Sequence, residues 1–200
     1  LDGANSYKSL SVGSVHNCAI RTSDNRAYCW GANADYRTGN GDNSSYTTAV
    51  TAVSGAQTYK SLTVNEAHGC GIASDDKLYC WGLGTNNRTG GGTMTIPTAV
   101  DTGVTYASVS AGNATTCGLT LSDGSMRCTG LSNYGQAFDR GATDNYTTFN
   151  DVKTGIKFSK VSLAYNQSWA VTTKPGVPAE HNVVYSGGWE KYYATSGDGK

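Results

Sequence analysis

Apolar and polar residues alternate along Tyr7-Lys8-Ser9-Leu10-Ser11-Val12, the period of a strand with one face buried. The phrase returns as Tyr59-Lys60-Ser61-Leu62-Thr63-Val64, as Tyr106-Ala107-Ser108-Val109-Ser110-Ala111, and as Phe158-Ser159-Lys160-Val161-Ser162-Leu163. Eleven positions after each aromatic stand Cys18, Cys70, Cys117 and Trp169. A second phrase follows in each copy: Ala27-Tyr28-Cys29-Trp30-Gly31, Leu78-Tyr79-Cys80-Trp81-Gly82, Met126-Arg127-Cys128-Thr129-Gly130 and Val184-Tyr185-Ser186-Gly187-Gly188. Between the two phrases lie Ser23-Asp24-Asn25, Ser74-Asp75-Asp76 and Ser122-Asp123-Gly124, residues that accept bent or left-handed backbone. Each pair of phrases therefore predicts a hairpin. A Gly-rich stretch closes each unit, as in Arg37-Thr38-Gly39-Asn40-Gly41 and Arg88-Thr89-Gly90-Gly91-Gly92. The period of roughly fifty residues predicts an all-β chain of propeller-like blades. The expected layout is one array over 1–200, with repeats at 1–52, 53–101, 102–153 and 154–200, forming an open arc or part of a larger propeller.

Composition sharpens this picture. Gly occurs 26 times and Pro only 3 times, which suits short strands and turns. Fifteen basic and fifteen acidic residues cancel, and no basic stripe invites a phosphate backbone, so nucleic acid is not an expected partner. No apolar run reaches the length of a membrane span. The chain opens on Leu1 without a signal segment, which reads as a processed or excised piece.

The six cysteines fall into pairs: Cys18 with Cys29, Cys70 with Cys80, Cys117 with Cys128. The fourth copy replaces both members at once, with Trp169 and Ser186, as a covalent bond predicts. Across facing strands the Cα separation should be near the ~5.5 Å that a disulfide prefers. Disulfides are the favoured reading and imply an oxidising compartment. Reduced core thiols and a metal site are the alternatives. His16 and His68 precede a cysteine by two residues, but Thr115 stands there in the third copy and no CxxC spacing occurs. These histidines are expected to hydrogen-bond across a loop between blades.

The phrases resemble the repeat of the regulator of chromosome condensation family. The residues carrying the resemblance are Gly13, His16, Cys18, Ala19 and Ile20, then Trp30, Gly31 and Asn33, then Gly39 and Gly41. His68, Cys70, Trp81 and Gly82 match in the second copy; Gly112, Asn133, Gly135 and Gln136 match in the third. Tyr36 and Asn87 stand where the family has Gly, and Arg37 and Arg88 where it has Gln. The resemblance implies a propeller, typically of seven blades, whereas four copies are present here. It also implies a nuclear nucleotide-exchange role, against which the cysteine pairs argue. Secreted members, which bind partners or coat surfaces, suit this disulfide-bearing chain better.

No catalytic constellation emerges: neither a phosphate loop, a GxSxG elbow nor an HExxH helix occurs, and no cofactor is implied. Asp24, Asp75 and Asp123 recur at one repeat position, as turn chemistry would have it. Gly90-Gly91-Gly92 reads as turn backbone, and the stretch at Asp42 and Asn43 as a solvated turn rather than a calcium cage. Five Asn-x-Ser/Thr sequons begin at Asn43, Asn87, Asn113, Asn145 and Asn166. Chance would give about three, so bare polar loops are the competing reading. Tyr7, Tyr59, Tyr106 and Phe158 are expected in the core between blades. Trp189, Tyr192 and Tyr193 break phase and suit an interface. The expected function is an extracellular or cell-surface structural glycoprotein, a self-assembling surface or filament subunit without catalysis. Its favoured partner is itself, head to tail; a secreted module binding glycans or a surface protein is the alternative.

Overall fold

The computed structural model describes residues 3, 5–138, 145–173 and 184–188. Each copy of the repeat forms one antiparallel sheet whose strands pair in chain order. Blade 1 comprises β1 (Tyr7–Val12), β2 (His16–Arg21), β3 (Ala27–Ala32) and β4 (Tyr46–Ala52). Blade 2 comprises β5 (Tyr59–Val64), β6 (His68–Ala73), β7 (Leu78–Gly82) and β8 (Met94–Val100). Blade 3 comprises β9 (Tyr106–Ala111), β10 (Thr115–Thr120), β11 (Met126–Gly130) and β12 (Tyr146–Val152). Blade 4 shows β13 (Phe158–Leu163), β14 (Gln167–Thr172) and β15 (Val184–Gly188). The blades pack in sequence as an open arc, with β1, β5, β9 and β13 adjacent along one side.

Simple alternation fails at the start of each blade. A β-bulge shifts register between Tyr7 and Ser9, Tyr59 and Ser61, and Phe158 and Lys160. The extra residue places Tyr59, Leu62 and Val64 together against blade 1, while Thr63 points to blade 3. The interior is thus not within a blade but between blades. Cys18, Ile20, Ala27 and Cys29 of blade 1 pack on Tyr59, Val64 and Trp81 of blade 2. Blades 2 and 3 repeat this with Cys70, Ile72, Leu78 and Cys80 against Tyr106. Blades 3 and 4 do so with Cys117, Leu119, Met126 and Cys128 against Phe158 and Leu163.

All three cysteine pairs are disulfides, and no described cysteine is free. Each joins directly opposed residues of the second and third strands. Their Cα atoms are 4.1 Å apart, closer than the ~5.5 Å expected, because they occupy the narrow kind of antiparallel pair. Every disulfide faces the following blade, inside the interblade core.

Two polar devices lock one blade to the next. The first residue of β5, β9 and β13 donates its N–H to the carbonyl of Asn25, Asp76 and Gly124 in the preceding blade, at 2.8, 2.9 and 2.9 Å. Those acceptors all hold left-handed backbone, with φ of 57°, 65° and 71°, which explains Asn, Asp and Gly at this turn position. At the other end of the same strands, Val64, Ala111 and Leu163 donate to the hydroxyls of Ser11, Thr63 and Ser110, at 3.0, 3.0 and 2.8 Å.

Candidate functional site

The internal contacts define what a blade needs on its leading side. Val64, Ala111 and Leu163, which end the first strand of blades 2 to 4, are 5%, 3% and 9% exposed. Val12 holds the same position in blade 1 and is 67% exposed; Leu10 beside it is 61% exposed. Tyr59, Tyr106 and Phe158 are buried as expected, but Tyr7 is only half-buried and lies edge-on to Tyr28, ring centroids 6.3 Å apart. Trp81 is fully buried and donates Nε1–H to the Arg37 carbonyl of blade 1 at 3.0 Å. Its counterpart Trp30 is half-buried. Blade 1 therefore presents Leu10, Val12 and Trp30, residues of an interblade core, on an open face.

Among the described residues, blade 4 is open on its trailing side. Trp169 and Ser186 face one another in the register that Cys117 and Cys128 occupy in blade 3. Trp169 is 43% exposed and Val184 50%. Ser162 stands where Ser11, Thr63 and Ser110 accept an N–H from the next blade. The two ends of the arc thus carry the two halves of the contact repeated three times inside it.

Residues 7–37 and 106–136, the opening parts of blades 1 and 3, match the Regulator of chromosome condensation (RCC1) repeat. Two of the four copies are thus similar in sequence to that repeat. Yeast RCC1 (Prp20), solved with Kap60, superposes with a TM-score of 0.74 at 18% identity, over 92% of this chain and 44% of that one. Human WBSCR16 superposes with a TM-score of 0.74 at 16% identity, over 90% of this chain and 47% of that one. The ectodomain of the Physcomitrella patens receptor kinase CR4 gives 0.62 at 20% identity, over 96% and 44%. At such identities the likeness is one of fold, and this chain spans less than half the length of each of these three. No curated protein matches the chain in sequence.

The blades also place the remaining expected residues. Asp24, Asp75 and Asp123 accept the N–H two residues on, at 3.1, 3.2 and 3.0 Å, and so close the second turn of their blades. Arg21 bonds Asp24 and holds its carboxyl down to about 2. His68 reaches the next blade, its Nε2 lying 2.8 Å from Thr116 Oγ1, a strand residue rather than a loop. Thr116 in turn donates to the Arg88 carbonyl at 2.7 Å. His16 finds no partner for either ring nitrogen among the described residues, because the position of Thr116 is Gly69 in blade 2. Burial, aided by Arg37 for His16 and Arg88 for His68, holds the two rings down to about 4 and about 3.

Among the described residues no three His, Cys, Asp or Glu gather closely enough to hold a metal, and no helix is long and apolar enough to cross a membrane. The Asp42 and Asn43 stretch is tied down as a loop: Asn33 Nδ2 donates to the Asp42 carbonyl and Asn43 Oδ1 accepts the Asp35 N–H. Trp189, Tyr192 and Tyr193 lie outside the described residues.

Sequence reasoning missed the hydroxyl acceptors Ser11, Thr63 and Ser110. Their signal was present, since all three stand at one position of the repeat. It also missed a paired exchange. Gly69 faces Trp81 in blade 2, where a Cβ on Gly69 would come within 2.7 Å of the indole. In blade 3 the same cross-strand pair is Thr116 and Thr129. There Thr116 Oγ1 donates to the carbonyl of Arg88, the counterpart of Arg37, at 2.7 Å, and Thr129 Oγ1 donates to the neighbouring Asn87 carbonyl at 2.9 Å.

Proposed function

We propose that this chain is a non-catalytic extracellular structural glycoprotein that assembles head to tail, the trailing face of blade 4 in one copy covering the leading face of blade 1 in the next. The observation that carries this reading is the exposure of Val12 and Leu10 at positions of the internal interblade contact. Burying one such side chain contributes about 1.5–3 kcal/mol, so a face bearing several has a substantial drive to find a cover. Continuity with the internal contacts selects a second copy as that cover. Ser162 offers the acceptor that the Val12 position needs, and Trp169 with Val184 offers apolar area opposite Leu10 and Val12. A head-to-tail contact of this kind either closes a ring or propagates. Three disulfides support an oxidising setting.

Sedimentation velocity and electron microscopy of the protein across a concentration series test the reading. Rings or filaments are expected, and Val12→Asp should abolish them while leaving the β circular-dichroism spectrum intact. A species that stays monomeric at high concentration overturns the proposal. A second reading, a secreted propeller module that binds another protein, draws on the receptor-kinase ectodomain among the structural relatives. It is favoured if a stoichiometric complex with a different protein forms through the same face and blocks self-association.

A further inference from the structure

Because β1 to β4 run up and down in order, the first and third turns of every blade lie at one edge of the arc. The second turn and the link to the next blade lie at the opposite edge. All five sequons fall at the first edge. Asn113 and Asn166 lie in the turns after β9 and β13, and Asn43, Asn87 and Asn145 in the connections after β3, β7 and β11. The opposite edge carries the turn aspartates and their partners, including Lys60 to Asp76 at 2.6 Å and the contacts of Lys157 with Asp123 and Ser125. It holds no sequon among the described residues, and neither do the leading strands β1 to β3 of blade 1.

The sites differ in what the folded blade leaves accessible. Transfer to a sequon needs both the Asn amide and the hydroxyl two residues on. Asn43 with Ser45, and Asn145 with Thr147, are exposed at both positions. Asn43 makes its hydrogen bond through Oδ1, not through Nδ2, the atom to which a sugar is joined. In the other three the second residue is buried: Thr89 Oγ1 bonds the Gly91 and Gly92 carbonyls, Thr115 Oγ1 bonds the Leu131 carbonyl, and Ser168 is fully enclosed.

We infer that the chain is N-glycosylated on one edge only, with Asn43 and Asn145 as the sites open to the folded protein and Asn87, Asn113 and Asn166 modifiable only before their blades form. The asparagine amide is the acceptor and a lipid-diphosphate-linked oligosaccharide the donor. Asn Nδ2 attacks the sugar C1, the C1–O bond to the diphosphate breaks, the lipid diphosphate leaves, and the amide proton passes to a base. The consequence is a sugar-coated edge beside bare blade faces, so the coat leaves the proposed stacking contact clear. This inference rests on the extracellular reading above.

Peptide mapping of protein secreted from a eukaryotic cell, with enzymatic deglycosylation in heavy-oxygen water, reads occupancy site by site. Incubating unglycosylated folded protein with an oligosaccharyltransferase and its lipid-linked donor reads the accessible set. Asn43 and Asn145 should be occupied in both, and the other three should stay unmodified in the second. Absence of sugar from Asn43 and Asn145, or modification of Asn113 in the folded protein at the same rate, overturns the inference. Asn43→Gln with Asn145→Gln should leave sedimentation unchanged apart from the lost mass. Glycosylated but monomeric protein would sink the assembly proposal alone; bare polymers from the same cells would sink the edge assignment alone.

Discussion

Tyr36 holds left-handed backbone, with φ of 62°, where Asn87 and Gly135 hold the same conformation at 59° and 80° in the next two blades. A β-carbon in that region costs about 1–2 kcal/mol, which Asn tolerates better. Tyr36→Asn should therefore raise the urea midpoint, by about 0.5–1 kcal/mol of stability; a lower midpoint would mean that the ring makes compensating contacts. The buried histidines set a pH dependence. Their ordinary value is 6.5, and burial lowers His16 to about 4 and His68 to about 3. Below pH 6.5 the unfolded chain binds protons that the folded chain refuses, so stability falls as pH drops from 6.5 toward 3. Asp24 acts in the same direction lower down: its contribution is complete above its ordinary 3.8 and is lost as pH falls toward about 2. A melting series from pH 7 to 3 should show the decline, and His68→Gln should flatten its upper part. A level profile across that range would contradict burial of both rings.

At the scale of the element, each hairpin is specified by what its neighbour must place against it. Gly118 lies beneath Tyr106, where a Cβ would stand 2.6 Å from the ring, and so admits an aromatic into the interblade core. The paired exchange between Gly69 with Trp81 and Thr116 with Thr129 makes the rule testable. Gly69→Thr alone drives a side chain into the indole, and Trp81→Thr alone leaves a cavity costing about 3–5 kcal/mol. Joined, they recreate the pair that blade 3 uses. A double-mutant cycle by chemical denaturation should give a favourable coupling of about 1 kcal/mol or more. Additive effects would show that the two blades solve the contact independently.

For the molecule as a whole, equivalent residues have unequal consequences because the arc is open. Val64→Asp puts a charge into the contact between blades 1 and 2 and should destabilise the protein by about 3 kcal/mol or more. Val12→Asp, at the same repeat position, should change monomer stability by less than about 0.5 kcal/mol. Its effect is expected in the sedimentation profile instead. Equal destabilisation by both would mean that blade 1's leading face is already covered within the chain.

The blades were legible in the sequence because the repeat writes one hairpin pattern again and again, and the cysteines mark facing strands by vanishing together from the fourth copy. The aspartate turns were equally plain, since closing a turn needs only residues two apart. Which way each strand faces was not legible: a bulge after the first residue transfers Tyr59 to the side of Leu62 and Val64. Nor was it legible that His68 is bonded and His16 is not, since that depends on the residue one blade away, Thr116 for the one and Gly69 for the other. The sequence by itself determined the local units, whose instructions act over a few residues. Only the tertiary structure decided that the disulfides face the next blade's core, that the described residues leave two faces open and that the sequons share one edge, because those facts depend on how the strands and sheets are arranged in space.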